Sequence, residues 1–120
     1  MAQSPPAGRF PHARRSPRFA FDALVGLIVR QSDTPEQFWC RSTDLSEGGI
    51  GVNLVGGDLK PDELVSLQIP LPKQLSAGLH ATVRYRNALH CGFEFADLSE
   101  DERSAVSAAC DTLARLHPPI

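Results

Sequence analysis

One carboxylate, one hydroxyl and a pair of glycines lie within six residues of this sequence, at Asp44, Ser46, Gly48 and Gly49. If Asp44 lies on a strand, its side chain and that of Ser46 point to the same face, because side chains alternate along a strand. The two glycines permit either a positive φ or the close approach of another group to the backbone. The stretch therefore predicts either a plain β-turn or a turn that presents a carboxylate and bare backbone to a ligand.

A basic cluster precedes this stretch by about 30 residues and consists of Arg14, Arg15 and Arg18. Pro17 prevents helix formation and favours extended backbone at Ser16, so these arginines are expected on a loop or arm. Alone, such a cluster near a terminus is commonly a solvated tail.

Charge is distributed unevenly along the chain. Residues 1–30 contain five Arg and one Asp, whereas residues 31–120 contain seven basic and thirteen acidic side chains. The overall net charge of −2 argues against a general binder of nucleic-acid polymers. The basic charge is nevertheless concentrated where an anion could be bound.

Length and composition indicate one domain with one core, since 42% of the 120 residues are hydrophobic. The three cysteines show no paired spacing and are interpreted as reduced, buried thiols of a cytoplasmic protein. The longest apolar run near the N-terminus, residues 23–29, is too short to cross a bilayer, so no membrane insertion is expected.

The pattern of apolar residues predicts short strands followed by one helix. Residues 1–13 are rich in proline and are expected to be a disordered lead. Apolar residues then occupy every second position from Phe19 to Val29, which predicts one long strand. Leu24 and Ile28 on its opposite face suggest cover on both sides. The predicted strands are 19–29, 36–45, 49–54, 64–69, 79–86 and 89–95, with a hairpin turn at 87–88.

Two aromatic residues are assigned by this pattern. Trp39 is expected in the core, and Val83 and Tyr85 are expected on one face of their strand.

Ser99 and Glu102 form a capping box that predicts a helix start, and an apolar stripe at helical spacing follows it. The stripe consists of Val106, Ala109, Cys110, Leu113 and Leu116. Strands and turns of this kind indicate an all-β barrel or sandwich with one terminal helix.

Two motifs together carry a family resemblance. The sequence Arg-x-x-x-Arg ahead of a strand, followed by Asp-x-Ser-x-x-Gly between two strands, resembles the motif pair of the PilZ family of cyclic di-GMP receptors. Residues 92–103, GFEFADLSEDER, are similar to that family's last barrel strand and the start of its terminal helix. The resemblance implies a six-stranded antiparallel split β-barrel with one C-terminal α-helix, over residues 14–118.

The resemblance also implies a ligand and the residues that bind it. Arginine fits the acceptor edge of guanine or a phosphate with two parallel hydrogen bonds, and a carboxylate accepts from the donor edge. Tyr85 lies where some relatives carry an aromatic that flanks the ligand, although a core position is the commoner fate of a barrel tyrosine. The implied cyclic di-GMP-binding residues are Arg14, Arg15, Arg18, Asp44, Ser46, Gly48, Gly49 and Tyr85.

Other functions remain open at this stage. A chain with this fold and no nucleotide binding would act as a protein-binding adaptor, and a thiol enzyme would use Cys40 or Cys91 as nucleophile. The sequence places no base beside either thiol, so a non-enzymatic receptor is favoured. The histidines lack ligand spacing, so no metal or cofactor is expected. The receptor would signal through a protein partner. In the family that the motifs resemble, a basic residue immediately before the first motif arginine tends to accompany a stacked pair of ligands; that position is Ala13 here, so the resemblance implies one ligand per chain.

Overall fold

The computed structural model describes residues 16–30, 36–71 and 78–120. The predicted disordered lead, residues 1–13, lies outside these ranges. The elements in chain order are β1 (Phe19–Ala20), β2 (Leu24–Val29), β3 (Gln37–Leu45), β4 (Gly49–Asn53), β5 (Leu64–Gln68), β6 (Leu79–Asn87), β7 (His90–Phe95) and α1 (Glu100–Leu116).

Six of the strands form a closed antiparallel barrel. They pair in the order β3, β2, β5, β6, β7 and β4, and β4 pairs again with β3 to complete the ring. The short strand β1 is an addition that pairs with the end of β3. The predicted six-stranded antiparallel barrel with a C-terminal helix is confirmed.

The predicted long first strand is interrupted. Residues 21–23 separate β1 from β2, and the register against β3 shifts by one residue across the gap. The hydroxyl of buried Ser42 donates to the carbonyl of Phe21 and accepts from the amide of Ala23 at 2.9 Å. This side chain therefore satisfies backbone groups where the strand ladder stops.

Side chains from all six barrel strands fill one core. Val25, Leu27 and Val29 point inward as predicted, and burying each of them stabilises the fold by about 1.5–3 kcal/mol. The prediction for Trp39 was wrong, because its side chain is 58% exposed on the outer face, beside Gly26 of the neighbouring strand. Leu24 is likewise exposed, so β2 is not covered on both sides at that point.

Helix α1 begins at the predicted capping box. The amide of Glu102 donates to Ser99 Oγ at 3.1 Å, and the amide of Ser99 donates to Glu102 Oε1 at 2.8 Å. Val106 is buried with the barrel core, and Leu113 packs at its margin. Leu116, predicted to continue the apolar stripe, is exposed because the helix has passed the end of the core.

Candidate ligand-binding site

Four residues form a single row across the outer face of the barrel. Asp44 on β3 pairs with Gly51 on β4, Gly51 pairs with Gly92 on β7, and Gly92 pairs with Tyr85 on β6. The two glycines contribute no side chains, so the carboxylate of Asp44 lies over Gly51 and the phenol ring of Tyr85 lies over Gly92.

Two β-bulges bring Asp44 and Tyr85, the two ends of this row, to the outer face of the barrel. The register of β3 against β4 shifts between Ser42 and Asp44, and that of β6 against β7 shifts between Val83 and Tyr85. An extra residue in one strand reverses the face on which the following side chains lie. Val83 is therefore buried while Tyr85 is 38% exposed on the outer face, and the prediction that they share a face was wrong.

The turn that follows Asp44 is held by Ser46. Its Oγ accepts hydrogen bonds from the amides of Gly48 and Gly49, at 3.2 and 3.1 Å. The Ser46 amide donates to the carbonyl of Gly49 at 2.9 Å, and the hydroxyl itself is buried. The serine thus closes the turn through its own hydrogen bonds, and its direct contact with a ligand stays a prediction.

The two turn glycines serve different purposes. Neither of them has a positive φ, so that explanation for the pair was wrong. A Cβ at Gly49 would overlap the carbonyl of Phe93 on β7, which means that this glycine permits the pairing of β4 with β7. A Cβ at Gly48 would meet no atom within 4 Å, so Gly48 is the open backbone position at the cleft.

The two sequence motifs meet at an ion pair. Strand β1 pairs Ala20 with Asp44, which brings Arg18 to the end of β3. Arg18 Nε lies 3.9 Å from Asp44 Oδ2, with the arginine side chain 43% exposed and the aspartate side chain 14% exposed. Arg14 and Arg15 lie outside the described residues.

A chain of hydrogen bonds links the two sides of the glycine floor. Thr43 Oγ1 donates to Asp44 Oδ1 at 2.7 Å and lies 3.3 Å from His90 Nε2. The other ring nitrogen, His90 Nδ1, lies 3.2 Å from the hydroxyl of Tyr85. Sequence reasoning assigned no role to Thr43 or His90.

The row, the turn and Arg18 border one cleft of about 320 Å³. Arg84, on the bulge of β6, forms an ion pair with Glu94 of β7 at 3.4 Å, and both side chains line the cleft. Sequence reasoning missed these two residues, as well as Gly51 and Gly92. The glycines did carry a usable signal, since a glycine inside a strand commonly marks a close approach.

The cysteines are buried thiols with raised pKa values. Burial, reinforced by the neighbouring Cys91, raises the pKa of Cys40 to about 11. Burial also raises the pKa of Cys91, and burial with nearby Glu47 and Asp111 raises that of Cys110 to about 11. These thiols stay protonated near neutral pH, which is the opposite of an activated nucleophile.

Within the ranges that the structure describes, no cluster of three His, Cys, Asp or Glu side chains is arranged to hold a metal ion. No helix among the same residues is long and apolar enough to span a bilayer.

Fold and cleft together define a small antiparallel β-barrel domain, followed by one helix, with a polar glycine-floored cleft on its outer face. The sequence model of the PilZ domain matches residues 12–111. The chain therefore belongs to the PilZ domain family, a family of binding domains.

Solved structures of two other bacterial proteins have a similar fold. The PilZ domain of YcgR from Escherichia coli, solved with c-di-GMP, has a TM-score of 0.63 at 17% identity, over 86% of this chain and 92% of that one. The Bacillus subtilis inhibitor of motility, MotI/DgrA, has a TM-score of 0.61 at 20% identity, over 85% of this chain and 52% of that one. At these identities the likeness establishes the fold.

One sequence relative is an uncharacterised protein of Aquifex aeolicus. It is 31% identical over 91 residues, which are 73% of this chain and 41% of that protein. The chain thus spans less than half the length of this relative.

Proposed function

We propose that this chain is a cyclic di-GMP receptor that binds the dinucleotide in the glycine-floored cleft and does not hydrolyse it. The observation that supports this most is the meeting of Arg18 and Asp44, one from each motif, at the border of one cleft in a PilZ-family chain. A domain of the same fold, that of YcgR, has been solved with this ligand.

Asp44 is the acceptor for guanine. The Watson–Crick edge of guanine presents N–H donors, and a carboxylate has only acceptors, so the two edges are complementary. Oδ1 already accepts from Thr43, while Oδ2 faces Arg18, which borders the cleft. Adenine offers a ring acceptor at the equivalent position and would be disfavoured.

Arg18 is the cationic partner. At 3.9 Å its contact with Asp44 is long, and the guanidinium is nearly half exposed. Replacing this contact by one with a ligand therefore costs little free energy. The guanidinium fork fits a phosphate or the O6 and N7 acceptors of guanine with two parallel hydrogen bonds. Arg14 and Arg15 supply further contacts to phosphate from the preceding segment.

The floor and the far wall shape the site for a flat base. Gly51 and Gly92 add no side chains, so the Asp44 carboxylate lies over Gly51 and the Tyr85 ring lies over Gly92. A base that enters the cleft would meet this carboxylate and this ring. Glu94 would repel an anionic ligand, but its charge is opposed by Arg84 at 3.4 Å. Gly48 offers open backbone at the cleft, and Ser46 maintains the turn that presents it.

The receptor passes its signal on by a change that a protein partner recognises.

The three cysteines of the chain are buried and have raised pKa values, so thiol chemistry on the ligand is not expected. With one cleft assigned, one cyclic di-GMP binds per chain. A protein-binding adaptor that does not bind the nucleotide remains the alternative. A measurement of cyclic di-GMP binding distinguishes the receptor from the adaptor.

Calorimetric titration with cyclic di-GMP tests the proposal, with cyclic di-AMP as the matched control ligand. We expect a dissociation constant in the micromolar range or tighter, equivalent to about 8 kcal/mol, and a stoichiometry near one. Cyclic di-AMP should bind much more weakly. A flat titration with cyclic di-GMP would overturn the receptor function, and linear dinucleotide in the recovered ligand would overturn the non-enzymatic one.

A further inference from the structure

His90 is the first residue of β7 and lies outside the cleft lining, between the side chains of Thr43 and Tyr85. Its Nε2 is 3.3 Å from Thr43 Oγ1, and its Nδ1 is 3.2 Å from the Tyr85 hydroxyl. The His90 and Tyr85 rings are 5.6 Å apart between centroids and inclined at 35°. The imidazole therefore contacts one side chain that orients the carboxylate and one that forms the opposite wall.

The direction of each hydrogen bond follows from the chemistry of the groups. The Asp44 carboxylate only accepts, so Thr43 donates its single hydroxyl hydrogen to Oδ1 at 2.7 Å. The Thr43 oxygen is then left to accept from His90 Nε2–H. With the single proton of the neutral imidazole on Nε2, Nδ1 is unprotonated and accepts from the Tyr85 hydroxyl.

Gly51 provides the space through which this link passes. A Cβ at Gly51 would lie 3.1 Å from both His90 Nε2 and Thr43 Oγ1, and it would overlap Asp44 Oδ1. A side chain at this position would displace the groups that form the link. The absence of a side chain at Gly51 thus makes room for this connection.

We propose that His90 is a positioning residue for guanine recognition. It holds the Asp44 carboxylate through Thr43 and holds the Tyr85 ring by a direct hydrogen bond, so that the carboxylate and the ring act as one unit. This rests on the proposed cyclic di-GMP function. The link fixes the rotamer of Asp44 by holding Oδ1, which leaves Oδ2 turned to Arg18. It also directs the Tyr85 hydroxyl away from the ligand, so the ring itself contributes the contact. A site already arranged in this way loses less entropy when the ligand binds.

Affinity measurements on a set of histidine variants test the link. We expect His90→Ala to weaken cyclic di-GMP binding roughly 3- to 10-fold. Tyr85→Phe should weaken it as well, and the double variant should bind no more weakly than His90→Ala, because the two residues act through one link. His90→Asn places an amide near the Nδ1 position and His90→Gln near the Nε2 position, so each should restore part of the loss.

The matched control is His80→Ala, because His80 is a partly buried histidine of β6 that is neither in the cleft lining nor among the residues of the link. It should bind as wild type. Wild-type affinity in His90→Ala, or losses from His90→Ala and Tyr85→Phe that multiply in the double variant, would overturn the proposal.

The tautomer of His90 in the ligand-free wild-type chain gives a second measurement that needs no variant. Nitrogen chemical shifts of the ring, recorded with the imidazole neutral, should place the proton on Nε2. A proton on Nδ1 would break the link as described and overturn the proposal even if binding is intact. If wild type does not bind cyclic di-GMP, the proposed function fails separately, and the tautomer alone decides whether the link exists.

Discussion

Gly51 and Gly92 face each other on β4 and β7, and each leaves the space that a functional side chain fills. The groups of Thr43, Asp44 and His90 occupy the space above Gly51, and the Tyr85 ring occupies the space above Gly92. The pair therefore couples the packing of the sheet to the shape of the cleft.

Gly92→Ala should displace the Tyr85 ring, because the added Cβ would overlap three of its carbon atoms. We expect cyclic di-GMP affinity to fall by the value of a lost aromatic contact to a base, roughly 1–3 kcal/mol. Calorimetry on Gly92→Ala, Tyr85→Ala and the double variant measures this. If the double variant binds far more weakly than Tyr85→Ala, the glycine acts by another route.

Gly49→Ala and Gly48→Ala should separate folding from binding. The first substitution forces the Phe93 carbonyl and the β4–β7 pairing apart, so we expect a loss of roughly 1–3 kcal/mol in unfolding free energy. The second meets no atom and should leave the melting temperature unchanged, while obstructing a ligand that approaches the backbone. Equal melting temperatures for the two variants would contradict this assignment.

Arg18→Ala and Asp44→Ala should each weaken cyclic di-GMP binding by roughly 1.5–3 kcal/mol, about 10- to 150-fold. Thermal stability should change little, because their contact is 3.9 Å long and partly exposed. Arg41→Ala is the matched control, since Arg41 pairs with Asp22 at 2.9 Å outside the cleft lining. Early melting with wild-type affinity in the two site variants would favour the adaptor function.

Leu27→Ala should behave in the opposite way. Leu27 is fully buried in the barrel, and removing its side chain should cost about 2–5 kcal/mol of unfolding free energy. At a temperature where the variant is folded, cyclic di-GMP affinity should remain near wild type. Calorimetry and thermal denaturation on the same sample test both statements.

The fluorescence of Trp39, the single tryptophan, should be that of a solvent-exposed indole rather than that of an indole buried in the core. Because its side chain is 58% exposed, its fluorescence emission in the folded chain should lie close to that of free indole in water. Trp39→Ala should change the unfolding free energy by less than about 1 kcal/mol. Strongly blue-shifted emission in a monomeric sample would show that the indole is covered.

Alkaline pH should destabilise the fold through the buried thiols. The pKa values of Cys40 and Cys110 are raised to about 11 by burial, so the folded state keeps protons that the unfolded chain releases near pH 9. Their contribution to stability is complete below pH 9 and is lost as pH rises through 11. Denaturation curves across this window, with Cys40→Ser as comparison, measure the slope.

Local patterns in the sequence were enough to predict an all-β fold, the start of the terminal helix and the two motifs, and the family resemblance of those motifs supplied the six-stranded barrel. Alternation placed Val25, Leu27 and Val29 inside, and the capping box of Ser99 and Glu102 fixed where the helix begins. A hydrophobic face must be buried and a helix end must be satisfied, whatever the rest of the chain does.

The face on which Asp44 and Tyr85 lie, and the residues that surround them, follow from how the strands pair. One extra residue at each bulge reverses the alternation, and nothing within β3 or β6 alone specifies it. The outward position of Trp39 and the contacts of His90 depend in the same way on which strands become neighbours. The site is built from pairings between residues far apart in sequence, and local patterns carry no information about those pairings.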